Sequence, residues 1–324
     1  MSLRSLLDRS LASRAPWRPG AALFAGLAVA LFVSEWAEYT FYVKLISRAL
    51  ILGLAALAVD LVVGVAGLVS LGHAAFLGVG AYAVAILAEH GITNGVVQWS
   101  IGILASATGA LVVGALSLRT SGVYFIMITL AFAQMLYFIA NSVSRYGGND
   151  GLTIWAPTSF PGFGSLGSHY RIAWVCYTIL LIAYLALLRV RDSRFGRVLR
   201  AAKENERRML ALGFAVHRYR LAAFVMSGAV TGLAGVLLAT MTEFVAPAYM
   251  SWHRSGELLA MVVLGGLGTL HGAVVGALLF VVLEEILSTL TTYWGLPFGL
   301  FLVLAVLTGR GKLLLRAVHR EQVR

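Results

Sequence analysis

A 324-residue chain that is 60% hydrophobic and 12% charged, with a mean hydropathy of +0.86, has too little polar surface for a soluble globular domain. Its net charge of +11 would suit a nucleic-acid binder, but retention of Lys and Arg on the cytoplasmic side of a membrane chain accounts for the excess without nucleic acid. The single Cys176 lies in an apolar run, so no intrachain disulfide and no Cys-based metal site is expected.

The basic start, with Arg4, Arg9, Arg14 and Arg18, is expected in the cytoplasm. A first span over 18–36 is read as retained, because Glu35, Trp36 and Glu38 follow it instead of a small-residue cleavage site. Spans are then predicted over 42–63, 70–88, 97–117 and 122–140, each reversing direction. The segment 141–170 holds Gly147, Gly148, Gly151, Pro157, Pro161, Gly162, Gly164 and Gly167, a density of turn formers that excludes a long helix. With Ile154, Trp155, Phe160 and Phe163 among them, it predicts a folded external cap. Further spans follow over 171–188 and 219–241, then two short apolar segments over 257–274 and 276–290, then a last span over 294–309 that returns the C-terminus to the cytoplasm. This walk leaves 20 of the 25 Lys and Arg inside; the exceptions are Lys44, Arg48, Arg145, Arg171 and Arg254.

Ten basic residues crowd into 189–220. Within this segment Phe195, Val198, Leu199 and Ala202 recur at i, i+3, i+4, i+7, and Met209 with Leu210 continues the stripe, so one amphipathic helix is expected. Asp192 or Ser193 is a suitable cap for its start, and Gly213 supplies a stop. Glu204 and Arg208, four apart, suit a helical ion pair. Such a helix either lies on anionic lipid or docks as a handle on a soluble partner.

Glycines gather at 64, 67, 72, 78 and 80, at the Gly228/Gly232 pair, and at 265, 266, 268, 272 and 276. The pair reads as close helix packing, and the last group as a break between two short helices. No Gly-rich run is followed by Lys and Ser/Thr, so this chain is expected to bind no nucleotide cofactor and not to hydrolyse ATP by itself, and no nucleophile–base pair supports an enzyme. Asp60 lies near the inner end of the span over 42–63, and Glu284 and Glu285 lie within 276–290, so at least one of that pair is expected to face protein or water. His73 and His271 lack a partner set for a metal and suit cap or packing roles. An ion-coupled transporter using Asp60 or Glu284, and a membrane enzyme acting on lipid, are the competing classes. The first has few ionisable residues, and the second has no catalytic cluster.

From Gly67-Leu68-Val69-Ser70-Leu71-Gly72-His73 to Tyr82, the chain resembles the permeases of branched-chain amino acid ABC transporters, LivM family. The likeness continues at 118–125, at Gly147-Gly148 and Asp150-Gly151-Leu152, at 193–213, and at Met261–Leu270, covering roughly 45–311. The resemblance implies an all-α, polytopic transmembrane bundle with broken or re-entrant helices, forming one permease domain over 1–324 in a bacterial inner membrane. It makes 141–170 a periplasmic loop and 191–218 a cytoplasmic coupling loop. The implied partners are a second permease, two ATP-binding subunits that use the ATP, and a periplasmic binding protein that delivers a small apolar amino acid. It also implies that coupling falls to Phe195, Gly196, Val198, Leu199, Ala202, Glu204 and Gly213. Apolar walls with glycines and sparse hydroxyls mark Ser70, Gly72, His73, Thr129, Gly265, Gly266, Gly268 and Thr269 as candidates for the translocation path. The stretch His271-Gly272-Ala273 lacks a Pro common in the family, which predicts a softer break. Permeases for urea and short amides share most of the pattern, so the substrate stays open.

Overall fold

The computed structural model describes residues 18–160 and 164–304. Arg4, Arg9, Arg14, Pro161, Gly162, Phe163 and the basic C-terminus (Arg310, Lys312, Arg316, Arg320, Arg324) lie outside the described residues, as does 305–309 of the last expected span.

The chain is an α-helical bundle. In order come α1 (Arg18–Trp36), α2 (Thr40–Asp60) continuing as a π-helical turn (Leu61–Val65), α3 (His73–Glu89), α4 (Gly95–Ser117), α5 (Val123–Ser142) and α6 (His169–Asp192). Then follow α7 (Arg194–Glu204), α8 (Glu206–Ala211), α9 (Val216–Thr242), α10 (Trp252–Gly265), α11 (His271–Leu290) and α12 (Gly295–Leu304). Six of the described helical stretches are long and apolar enough to cross a membrane: Thr40–Val65, Gly95–Ser117, Val123–Ser142, His169–Asp192, Val216–Thr242 and His271–Leu290. This is a multi-pass membrane protein.

Burial follows composition. The π-terminated α2 is apolar on every side and is covered by α6, α9, α10 and α11, so Ile51, Leu54, Leu57 and Leu61 are all buried. The other central helix is α9, packed on α3 and α4 through small residues. A β-carbon on Gly235 would collide with the Leu77 carbonyl, and one on Gly232 with the Ser106 side chain. Gly228 likewise abuts Ala110, so the Gly228/Gly232 pair is a packing seam. In contrast, α5 leaves Val123, Tyr124, Met127 and Phe138 exposed.

At one end of the bundle, residues after α5 fold into 3-10 turns (Ser144–Tyr146, Gly148–Asp150) and short strands: β1 (Leu152–Thr153), β2 (Ser159–Phe160) and β3 (Gly164–Ser165). β1 pairs antiparallel with β4 (Phe244–Val245), just beyond α9, and β2 pairs with β3. This cap is separated from the basic helices α7 and α8 by the full length of α6, 24 residues or about 36 Å.

Two expected boundaries change. The basic segment is two helices, because Asn205 adopts an extended conformation and its side chain accepts from Arg208 N at 3.0 Å, capping α8. The late break falls at 266–270, so Gly272 and Gly276 lie inside α11. There they let α11 approach the α10 backbone, against the carbonyls of Gly265 and Met261 respectively.

Candidate functional site

The basic helices are fixed at each end by local chemistry. Ser193 caps α7, its hydroxyl accepting from Gly196 N at 3.4 Å. After α8, Gly213 takes a φ of +84°; its N–H reaches the Leu210 carbonyl at 2.9 Å and the Phe214 N–H reaches the Met209 carbonyl at 3.1 Å. That paired closure is the Schellman stop that a left-handed Gly permits. The ion pair that forms is Arg220 with Glu206 at 2.8 Å, tying α9 to α8.

The apolar stripe of α7 faces the bundle. Gly196, Leu199 and Ala202 are buried, Val198 is half-buried, and Phe195 stacks on Tyr219 at 5.5 Å. Gly196 fits into the corner with α6, where a β-carbon would strike the Arg191 and Val190 carbonyls. These residues therefore seat the helix against the bundle. The outward surface carries Arg194, Arg197, Arg200, Glu204, Arg207 and Arg208, with exposed Leu210, Leu212 and Phe214 beside them.

One inward contact was not expected. The Lys203 ammonium donates to the Gly64 carbonyl at 2.7 Å, placing a cation at the C-terminal end of the π turn, where unsatisfied carbonyls accumulate. Its methylenes lie over Gly67, whose φ of +74° and missing side chain make room. From the other side Asp60, fully buried, accepts from Gly268 N at 2.6 Å and Leu270 N at 2.9 Å. Leu270 is held at a φ of +56° in a tight turn closed by His271 N to the Thr269 carbonyl, 2.7 Å, a strained arrangement for a branched residue. Gly64 must lack a side chain because the Gly268 backbone lies where its β-carbon would be. Thus α7, the end of α2 and the α10–α11 break form one hydrogen-bonded cluster.

Of the remaining candidates, Ser70, Gly72, His73 and Thr129 gather at the start of α3, which meets α10 at Ser255, eleven residues before Gly266, whereas Gly266, Gly268 and Thr269 lie in the break itself. The Ser70 hydroxyl, buried, accepts from Gly72 N at 3.1 Å, while Thr129 Oγ1, also buried, donates to the Ile126 carbonyl and accepts from Leu71 N. Gly72 is the residue before α3 and fits against Thr129. His73 is buried edge-on to Phe76 and Phe224, at 5.9 and 5.3 Å. Thr269 Oγ1 donates to the Gly266 carbonyl and accepts from Gly272 N, bracing the break. In the break Gly266 and Gly268 take φ of +97° and +78°. His271 begins α11. Among the described residues no cluster of His, Cys, Asp or Glu is arranged to hold a metal.

At lipid depth, Arg48 on α2 donates to both carboxylate oxygens of Glu284 on α11, at 2.7 and 2.9 Å. Sequence reasoning left Arg48 unassigned. The signal was present: a cation in one apolar run and an anion in another.

An all-α bundle with a basic helix pair at one face and a broken helix joined to it belongs among transport permeases, and comparison with known proteins agrees. Residues 41–307 match the family described as branched-chain amino acid transport system / permease component. The high-affinity branched-chain amino acid transport system permease protein LivM of Escherichia coli (strain K12) is 30% identical over 278 residues, covering 78% of this chain and 64% of the relative. A probable LivM of Methanocaldococcus jannaschii is 30% identical over 195 residues, 57% of this chain and 55% of the relative. LivH of Escherichia coli (strain K12) is 26% identical over 252 residues, 72% of this chain and 81% of the relative. The chain thus spans about 64% of the length of the E. coli LivM it matches. No solved structure matches. The chain belongs to the branched-chain amino acid transport system permease family.

Proposed function

We propose that this chain is the permease subunit of an ATP-driven importer of branched-chain or other small apolar amino acids in a bacterial inner membrane. Both termini are then cytoplasmic. A periplasmic binding protein delivers the solute at the cap, 141–170; a second permease of the same family completes the path; and two cytoplasmic ATP-binding subunits grip 191–218 and use the ATP. The observation that carries this reading is the α7–α8 pair: stopped at both ends, cationic outside, and bonded through Lys203 to the end of α2.

Movement of α7 is passed through Gly64 and Asp60 to the break at 266–270. The break borders the route the solute takes when the subunits separate, and Ser70, Gly72, His73 and Thr129 border it at the start of α3. The ion-coupled reading is weakened because both carboxylates it needs are engaged, Asp60 by two amides and Glu284 by Arg48. Purification in mild detergent tests the assembly: an ATP-hydrolysing subunit and a second permease should co-purify, and deletion of 195–212 should release the ATPase. Undiminished uptake by the deletion variant would contradict the reading.

A further inference from the structure

In the half of the bundle nearer the cap, α2, α3, α9 and α10 enclose a cavity of about 240 Å³. Its walls are mainly aliphatic, with Leu52, Leu77 and Leu258 among them, but Arg48, Arg254 and Glu257 also reach it. Three ionic groups around an apolar pocket are costly at lipid depth and call for a ligand or a structural reason. Arg48 has its structural reason in Glu284, which stands behind it. Arg254 and Glu257 are one turn apart on α10 and pair through a single contact, Nη1 to Oε2, at 2.6 Å. Among the described residues, the other guanidinium nitrogens of Arg254 and the second oxygen of Glu257 make no side-chain hydrogen bond.

We propose that this cavity is a binding site for a free α-amino acid in its zwitterionic form, a reading that rests on the importer function above. The amino-acid carboxylate lies between the Arg48 and Arg254 guanidinium groups, which match it in planar, paired geometry. The α-ammonium takes the place of Arg254 on Glu257. The aliphatic side chain fills the space lined by Leu52, Leu77 and Leu258. The Arg254–Glu257 contact opens, and each half finds an opposite charge on the ligand. A zwitterion enters without bringing net charge into the membrane. The volume is that of about eight waters, which admits a leucine-sized solute. A neutral amide or urea offers these groups hydrogen bonds but no opposite charge, so the site favours amino acids over the amides that related permeases carry. Because Glu257 lies on α10, which ends at the break held by Asp60, occupancy of the site is read by the same helix that answers to α7.

The test uses the purified complex of both permeases and the ATPase in proteoliposomes, with labelled leucine and no binding protein. For wild type, leucine, isoleucine and valine should compete for a saturable site and 4-methylpentanamide should not. Glu257→Gln should weaken leucine binding at least about tenfold, and Arg254→Lys, which keeps the charge, much less than Arg254→Gln. As a check independent of folding yield, Thr242→Cys in a Cys176→Ser background places a thiol at the rim of the cavity. Leucine should protect that thiol from a small water-soluble reagent, and the neutral amide should not. If ATP-dependent leucine import persists while Glu257→Gln binds like wild type, or if the amide protects equally, the site is overturned and the importer stands. If the complex imports no amino acid at all, both are overturned.

Discussion

Lys203 on the basic helix α7 donates to the carbonyl of Gly64, 139 residues earlier in the chain, at 2.7 Å. On the far side of the same π turn, Asp60 binds the two amides that hold the α10–α11 break. The helix α7 and the break are therefore joined through a single turn of helix.

Lys203→Met should leave the subunits assembled and the basal ATP hydrolysis intact, but lower the solute moved per ATP. A hydrogen bond worth about 1 kcal/mol changes a two-state population by about fivefold, which sets the expected loss. Parallel uptake and phosphate-release assays measure it; an unchanged ratio would remove Lys203 from the coupling chain.

Asp60→Asn supplies only one acceptor oxygen for the two N–H groups it must satisfy, and its amide turns a donor toward the other. The expected loss is about 1–3 kcal/mol of stability. Thermal unfolding in detergent should show it, with the 266–270 segment newly sensitive to protease. Wild-type resistance there would mean that the break does not depend on Asp60.

Gly276→Ala and Gly235→Ala place a methyl against the Met261 and Leu77 carbonyls. Each should destabilise by roughly 1–3 kcal/mol, since backbone rather than a yielding side chain opposes it. Gly26→Ala, which meets nothing within 4 Å, should be neutral or slightly stabilising. Equal melting temperatures for all three would disprove the packing account.

Arg48→Leu and Glu284→Leu each strand the opposite charge. With side chains 30% and 14% exposed, the loss should fall below the roughly 3–5 kcal/mol of a fully buried pair. The double variant should recover much of the expression and melting temperature that either single change removes. Additive losses would show that the two residues act separately.

Gly213→Ala forces a β-carbon into a left-handed turn, and about 1 kcal/mol should be lost from the α8 stop. Amide exchange across 206–214 should rise while the membrane core stays protected.

The long apolar helices and the basic loop were legible because both are local: apolar runs report lipid, and a run of Lys and Arg reports a segment facing water. Ser193 and Gly213 marked helix ends correctly for the same reason. Asn205 could have been read as a cap, since an acidic first turn follows it, but the continuous apolar stripe hid the break. The direction of that stripe was also hidden, as periodicity identifies a face without saying what covers it. The contacts that join the elements lie far apart in sequence, 208 residues for Asp60 to Gly268 and 236 for Arg48 to Glu284. One chain carries no sign of such pairings beyond the anomaly of an unpaired charge in an apolar run.

The most direct measurement is uptake of labelled leucine by proteoliposomes holding the whole complex, with the binding protein presented at the cap face and ATP at the basic face. No ion gradient is imposed. The account predicts uptake that requires ATP, persists with a protonophore present, and disappears when 195–212 is deleted. Uptake that ignores ATP and collapses with the proton gradient would contradict it.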